Sequence, residues 1–231
     1  MMNAADPWKS LLPKASAENV LAFVVKTFDE LRAENPRRFH FGMGEVPLSE
    51  RLGVRLQNSQ AECPVVGHWH YEDRTNVADE SDPRRIDLTF QTVRDNAHAI
   101  SLIFECKKIA AAGSAAKKHE KAYLAEGVDR FAVGSYAPNE PHGFMLGFAE
   151  GTKAPYIARL KKLFAEAGKA GACGWDNVGG SAFVAPPAHF AKNAPLSTRH
   201  RRRVKSPAGP TITVYHIPLM LTVFPSIKAG G

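Results

Sequence analysis

Residues 84–108, RRIDLTFQTVRDNAHAISLIFECKK, constrain the fold more than any other part of the chain. Residues 86–93 alternate apolar and polar side chains, and residues 100–104 form a short β-branched and aromatic run; both patterns are typical of strands. Asp95 and Asn96 lie between the two runs and are residue types that favour turns. The segment therefore predicts a β-hairpin that folds back at Asn96.

Folding back at Asn96 places Asp87 of the first strand opposite Glu105 of the second. Because side chains alternate along a strand, Glu105 and Lys107 share one face and Cys106 points to the other. Asp87 joins that face only if the connection has odd parity or a bulge corrects the register, since a one-residue slip inverts every side chain. The hairpin thus predicts two carboxylates and a lysine at the ends of adjacent strands.

Two carboxylates in this arrangement suit a hard divalent cation such as Mg²⁺, which prefers oxygen ligands and keeps positions for water and phosphate. The cation would lower the pKa of an attacking water and neutralise charge that develops on a phosphate. Lys107 would orient or deprotonate that water, or stabilise the phosphate. An ordinary edge hairpin with solvated charges is the alternative, although the apolar residues 101–104 favour a buried approach to Glu105.

The pattern resembles the PD-(D/E)xK nuclease superfamily, whose fold is restriction-endonuclease-like. IDLTF corresponds to its aspartate strand and FECKK to its acidic-x-lysine strand, with Ile86 where the superfamily pattern has proline. The resemblance implies an α/β fold with an αβββαβ core, a mixed sheet flanked by helices. It also implies Asp87, Glu105 and Lys107 as catalytic residues, with Asp87, Glu105 and the carbonyl of Cys106 as ligands of Mg²⁺ or Mn²⁺.

The resemblance further implies a glutamate on the helix that precedes the aspartate strand. Leucines at 48, 52 and 56 form a helical stripe, and Glu45 lies at its start. Glu45 is therefore the candidate third carboxylate and an additional metal ligand. Its alternative role is that of an acidic residue favoured near the positive end of the helix dipole.

Downstream of the lysine, residues 114–126 predict a helix and residues 130–136 a strand. This is the order that the resemblance implies after the acidic-x-lysine strand. Lys117 and Lys118 on the helix, and Arg130 at the start of the strand, are candidate contacts for phosphates. A solvated helix face is the competing interpretation for each of them.

The remaining sequence suits a single domain over residues 15–231, preceded by an arm over residues 1–14. Glycine, proline, alanine and asparagine are frequent between residues 168 and 210, which predicts long loops. The other elements that we expect are a helix from Ser16 to before Pro36, a strand over residues 144–148, an amphipathic helix over residues 156–167 and a final strand over residues 211–223.

Charge points independently to polyanionic partners. Lysine and arginine number 30 against 23 for aspartate and glutamate, and the isoelectric point is near 9.4. Much of the excess lies in a basic loop over residues 199–205, where a solvated, self-repelling loop is the alternative to phosphate binding. The candidate nucleic-acid contacts there are Arg199, Arg201, Arg202, Arg203 and Lys205.

These patterns predict a metal-dependent nuclease that acts on DNA in the cytoplasm. No apolar run is long enough to cross a bilayer, and the first residues lack the charged segment and apolar core of a signal peptide, so we expect an intracellular protein. The resembled bacterial domains serve restriction, repair or defence against phage, often beside a partner subunit, and many dimerise, so a homodimer stays open. Two other classes also stay open: a non-catalytic nucleic-acid-binding subunit, and a hydrolase that uses Cys106 as its nucleophile.

Overall fold

A computed structural model describes residues 14–73, 86–92, 101–110, 116–169 and 183–223. Seven strands form one mixed sheet in the order β1-β2-β3-β4-β7-β6-β5. Two neighbouring pairs, β3–β4 and β4–β7, are parallel, and the other four pairs are antiparallel. The strands are β1 Gly67–Asp73, β2 Ile86–Thr92, β3 Ser101–Ile109, β4 His142–Glu150, β5 Phe183–Val184, β6 Leu196–Arg201 and β7 Thr211–Leu221.

Helices cover both faces of this sheet, so the chain has an α/β fold. The longer ones are α1 Lys14–Glu34, α2 Glu45–Asn58 and α5 Lys153–Lys169. The shorter ones are α3 Ala116–Ala122, which continues through a π-helical segment Tyr123–Val128 into α4 Asp129–Ala132, and α6 Ala188–Ala191. The predicted helices that begin near Ser16 and at Glu45 are both confirmed.

One core fills the space between the sheet and helices α1 and α2. Its floor is a row of aromatic side chains from neighbouring strands, because residues paired in register present their rings on the same face. The Trp69 and Phe104 ring centroids lie 5.7 Å apart, those of Phe104 and Phe144 5.1 Å, and those of Phe144 and Tyr215 5.5 Å. The leucine stripe of α2 packs on this core and is fully buried.

A second core on the opposite face contains a buried chain of polar side chains. The Tyr123 hydroxyl lies 2.9 Å from His216 Nδ1 and 3.2 Å from the Tyr156 hydroxyl, and Thr198 Oγ1 lies 2.8 Å from His216 Nε2. Burial, followed by the influence of His200, holds the pKa of His216 well below its usual value. Each of these side chains has a hydrogen-bond partner, so we interpret the network as a stabilising part of the core and not as a binding site.

Strands β2 and β3 pair antiparallel, as the hairpin prediction required. Leu88 pairs with Phe104 and Gln91 with Ser101, and both pairs are centred on position 96. This register has the odd parity that sets Asp87 across from Glu105. The predicted turn over residues 95–98 lies outside the described residues.

The predicted strand over residues 130–136 is wrong. The chain stays helical through Asp129–Ala132, burying Phe131, and then turns at Gly134, whose φ of 75° suits glycine. The crossover that begins with α3 instead ends in β4, which contains the predicted strand over residues 144–148 and runs parallel to β3.

The prediction of long loops between residues 168 and 210 is also wrong in part, because β5, α6 and β6 lie there. In β6, Leu196, Thr198 and His200 point inward at a spacing of two. Two of these three inward residues are polar, which hid the strand pattern. Residues 170–182 are outside the described part. Within the described part, no helix is long and apolar enough to cross a membrane.

Candidate active site

The candidate site lies where the ladder between β2 and β3 ends. The last backbone pair is Leu88 with Phe104. One residue further along β2, the carboxylate of Asp87 replaces the backbone as the partner of β3. Asp87 Oδ2 accepts a hydrogen bond of 2.7 Å from the backbone N–H of Cys106. This bond fixes the carboxylate of Asp87 against β3, beside Glu105.

Lys107 is the cation at the centre of the site. Its Nζ lies 2.7 Å from Glu105 Oε1 and 2.9 Å from Glu45 Oε1, and it donates a hydrogen bond of 3.0 Å to the Cys106 carbonyl. The side chains of Lys107 and Glu105 are only 7% and 2% exposed. Glu45, Asp87, Glu105 and Lys107, which sequence reasoning grouped, are therefore brought together.

Glu45 is held by β3 from two directions. Besides its contact with Lys107, its Oε2 accepts a hydrogen bond of 3.0 Å from the backbone N–H of Lys108. The Lys108 ammonium donates to the carbonyls of Phe41 and Met43, at 2.6 and 2.7 Å, and lies 4.3 Å from the Phe41 ring centroid. Sequence reasoning missed Lys108; the second lysine of FECKK was its only signal.

Arg130 was predicted only as a phosphate contact near the site, but its side chain touches one of the site carboxylates. Its Nη1 lies 3.4 Å from Glu105 Oε1 and donates a hydrogen bond to the Tyr136 hydroxyl. The guanidinium carbon lies 5.3 Å from the Tyr136 ring centroid. Sequence reasoning missed Tyr136, which is fully buried, because it ended a segment interpreted as a strand.

Burial and a neighbouring negative charge raise the pKa of both carboxylates on the strands. Burial, together with the charge of Asp87, raises the pKa of Glu105 from 4.5 to about 8, although Lys107 and Arg130 oppose the shift. Burial likewise raises the pKa of Asp87, against the opposing effects of Lys107 and of the hydrogen bond from Cys106. A bound cation would relieve both effects, because it favours the charged forms.

The surroundings of Lys107 favour one of its two predicted roles. Burial alone would lower its pKa, but Glu105, Glu45 and Asp87 outweigh that effect and raise it above its ordinary value. Lys107 therefore favours the ammonium form, which suits stabilisation of negative charge, whereas deprotonation of a water would require the neutral amine.

The structure argues against the alternative in which Cys106 is the nucleophile of a hydrolase. Cys106 is fully buried on the face toward α1 and α2. Burial and the nearby Asp87 and Glu105 raise the pKa of its thiol well above the usual value. Since the thiolate is the nucleophile, a thiol held protonated and out of reach is unreactive.

The site fits a magnesium ion in part. Among the described residues, no group of three or more His, Cys, Asp or Glu side chains is placed to hold a metal ion. Mg²⁺, however, needs only one or two protein carboxylates beside substrate phosphate and water. Glu105 Oε2 is buried without a hydrogen-bond partner, beside Asp87, which is what a cation ligand would look like before it binds. Asp87 and Glu105, with the Cys106 carbonyl, are the residues that would hold the ion.

Of the other predicted phosphate contacts, most lie on the surface. Lys117 and Lys118 are exposed on α3. Arg199 and Arg201 are on β6 instead of in a loop, the first partly buried and the second exposed. Lys205 is exposed in the segment between β6 and β7.

Arg202 and Arg203 differ sharply despite being neighbours. Arg202 is only 6% exposed, and its Nη2 donates to the carbonyls of Ala137 and Glu140, so the prediction that it contacts nucleic acid is wrong. Arg203 is exposed and its Nη2 lies 2.9 Å from Asp129 Oδ1. Because Asp129 precedes Arg130 on α4, this contact docks the basic segment beside the site.

The chain matches no protein-family model, no curated protein and no solved structure.

Proposed function

We propose that this protein is a metal-dependent nuclease that hydrolyses phosphodiester bonds of DNA. The observation that carries the proposal is the meeting of Asp87 and Glu105, from adjacent strands, around the buried ammonium of Lys107. Burial of charged groups carries a desolvation penalty that lowers stability. Buried carboxylates with raised pKa values therefore favour a functional role over a purely structural one. The unpartnered Glu105 Oε2 gives a cation a ready ligand.

The element order supports a restriction-endonuclease-like core as part of this proposal. Helix α2 precedes three successive antiparallel strands, β1 to β3, and a helical crossover then leads to the parallel strand β4. This is the αβββαβ order that the resemblance implies. The site lies on the second and third of these strands, as it would in such an enzyme.

In the hydrolysis, the oxygen of a water molecule forms a bond to phosphorus while the bond from phosphorus to the leaving sugar oxygen breaks. One proton of the water passes to solvent and the leaving oxygen takes one from solvent, so no redox partner is needed. Lys107, whose ammonium is held by Glu45 and Glu105, stabilises negative charge on the phosphate oxygens through its electric field and not by a direct contact. Mg²⁺ or Mn²⁺, when bound by Asp87 and Glu105, would act as a Lewis acid and lower the pKa of the water.

The test is cleavage of plasmid and single-stranded DNA by the full chain with Mg²⁺, Mn²⁺ or EDTA. Asp87→Asn and Glu105→Gln keep side-chain volume and remove charge, while Glu30→Gln changes a partly exposed glutamate of α1 that pairs with Lys26. We expect wild type and Glu30→Gln to cut only with metal, and both site variants to lose activity. Cutting in EDTA, or by both site variants, would overturn the proposal.

A non-catalytic DNA-binding subunit is the second candidate, and one observation favours it. Lys107 already pairs with Glu45 and Glu105, so an ion must compete with a cation in place. Salt-sensitive DNA binding without cleavage under any metal condition would support this subunit, with restriction, repair or phage defence as its setting beside a catalytic partner.

A further inference from the structure

Arg130 is the cation at the site that remains open to a ligand. Lys107 has its ammonium between Glu45, Glu105 and the Cys106 carbonyl, and its side chain is 7% exposed. The side chain of Arg130 is 21% exposed, and both of its described hydrogen bonds use Nη1. Within the described residues, its Nε and Nη2 have no partner, so one edge of the guanidinium is left for a substrate.

The fold fixes this guanidinium in place. Arg130 lies on the short helix α4, and the turn at Gly134 brings the chain back so that the Tyr136 N–H donates 3.1 Å to the Arg130 carbonyl. The Tyr136 ring packs edge-on against Phe131, with centroids 5.8 Å apart. Because Tyr136 is fully buried, its hydroxyl is a rigid anchor for Nη1.

We propose that Arg130 is a further catalytic residue, which binds a non-bridging oxygen of the scissile phosphodiester and stabilises the charge that develops there. Tyr136 is its positioning residue. A guanidinium suits this role because its fixed fork of donors matches phosphate oxygens, and preorganised donors need no rearrangement as the charge grows. The proposal rests on the proposed nuclease function and deepens it.

The geometry separates this role from ordinary phosphate binding. Arg130 Nη1 lies within 3.4 Å of the Glu105 carboxylate, which is a proposed metal ligand, so a phosphate on Arg130 also faces the metal-binding carboxylates. Arg203, one contact away through Asp129, points to the surface and has no contact with Glu105 among the described residues. Arg130 should therefore affect the rate of the bound complex more than its affinity.

The experiment is single-turnover cleavage of a duplex oligonucleotide by wild type, Arg130→Ala, Arg130→Lys and Tyr136→Phe, with DNA affinity measured separately in Ca²⁺. Arg37→Ala removes an exposed arginine of the short 3-10 helix Pro36–Arg38 and is the matched control. We expect Arg130→Ala to lower the rate on the order of 10²–10³-fold, as for loss of one oxyanion donor, with little change in affinity. Arg37→Ala should match wild type.

Two further readouts exclude a merely structural role. Added guanidinium ion at low millimolar concentration should restore part of the Arg130→Ala rate, and Tyr136→Phe should lower the rate while leaving affinity and thermal stability nearly unchanged. If Arg130→Ala does not fold, Arg130→Lys decides, because it keeps the charge but not the fork. A wild-type rate in either Arg130 variant, or an effect on affinity alone, overturns the inference; absence of cleavage by wild type overturns the proposed function instead.

Discussion

Glu105 is the site carboxylate whose pKa is most clearly raised by burial. It lies in the buried part of β3 and is 2% exposed. One of its oxygens contacts Lys107, and the other has no hydrogen-bond partner. Removing an ionised carboxylate from water is costly unless every oxygen is satisfied. Burial therefore raises the pKa of Glu105, although the ammonium of Lys107 beside it opposes the shift.

This predicts a stability that falls as the pH rises. The pKa of Glu105 is raised from 4.5 to about 8 in the folded chain, so the folded state binds the proton more tightly than the unfolded state does. The resulting stabilisation is complete below the unfolded value and is lost as pH rises through the folded value, with a slope of at most about 1.4 kcal/mol per pH unit. Urea denaturation in EDTA across this interval measures it.

Glu105→Gln provides the comparison, because glutamine does not titrate. Relative to wild type, this variant should become progressively more stable between about pH 5 and pH 8, and Mg²⁺ should stabilise wild type alone at the upper end. Glu30→Gln should follow wild type throughout. Parallel pH profiles for wild type and Glu105→Gln would contradict the assignment of the raised pKa.

At the scale of elements, strand β3 organises the site because four successive residues, 105–108, make contacts on both faces of the sheet. Glu105 and Lys107 form the ion pair, Cys106 fills the core toward α1 and α2, and Lys108 reaches the loop that leads into α2. A strand can do this because its side chains alternate and its outer residues pass beyond the neighbouring β2. β3 thereby sets the position of Glu45 at the start of α2.

Replacing Lys108 tests this coupling between a strand and a helix. Lys108→Met keeps the aliphatic stem but leaves the carbonyls of Phe41 and Met43 without their donor. We expect a loss of about 2 kcal/mol in the free energy of unfolding, as for hydrogen bonds to a charged group, measured by urea denaturation. Amide exchange at the start of α2 should also become faster.

Lys118→Met is the matched control for that change, because Lys118 is exposed on α3. Its stability should stay within about 0.5 kcal/mol of wild type, as for most surface substitutions. Equal stability of the two methionine variants would show that Lys108 does not hold the loop.

At the scale of the whole molecule, α4 connects the site to a basic surface formed by the exposed residues Arg203 and Lys205. Arg130 reaches inward to Glu105, and the preceding Asp129 binds Arg203 at the surface. A DNA strand with its scissile phosphate at Arg130 would therefore pass beside Arg203 and Lys205. The net positive charge of the chain suits such a partner.

Substitutions in this surface should change the salt dependence of binding. Arg203→Ala and Lys205→Ala should each reduce the slope of log K against log salt by about 1, since each removes one phosphate contact. Fluorescence anisotropy with labelled duplex DNA at several salt concentrations measures the slope. Lys161→Ala, on the exposed side of α5, is the control and should leave it unchanged. An unaltered slope in both basic-loop variants would remove this surface from the DNA path.

Local sequence patterns determined the elements whose side chains repeat with a clear period. The leucine stripe predicted α2, and the alternation around Asn96 predicted that β2 pairs with β3, because each face has to be buried as a unit. The sequence left the parity of the connection open, and the structure decided it. The hairpin grouped Asp87, Glu105 and Lys107, and the resemblance to the PD-(D/E)xK pattern added Glu45 at the start of the leucine stripe.

Only the tertiary structure decided which charged residues face inward. Arg202 turns into the fold and Arg203 does not, although both belong to one basic run, because the carbonyls of a distant turn accept from Arg202. Tyr136 joins the site because α3 continues through a π-helical segment into α4, where tertiary packing outweighs strand propensity. Contacts between residues far apart in the chain leave no periodic signal in the sequence, and these contacts placed Arg130, Tyr136 and Lys108 around the carboxylates.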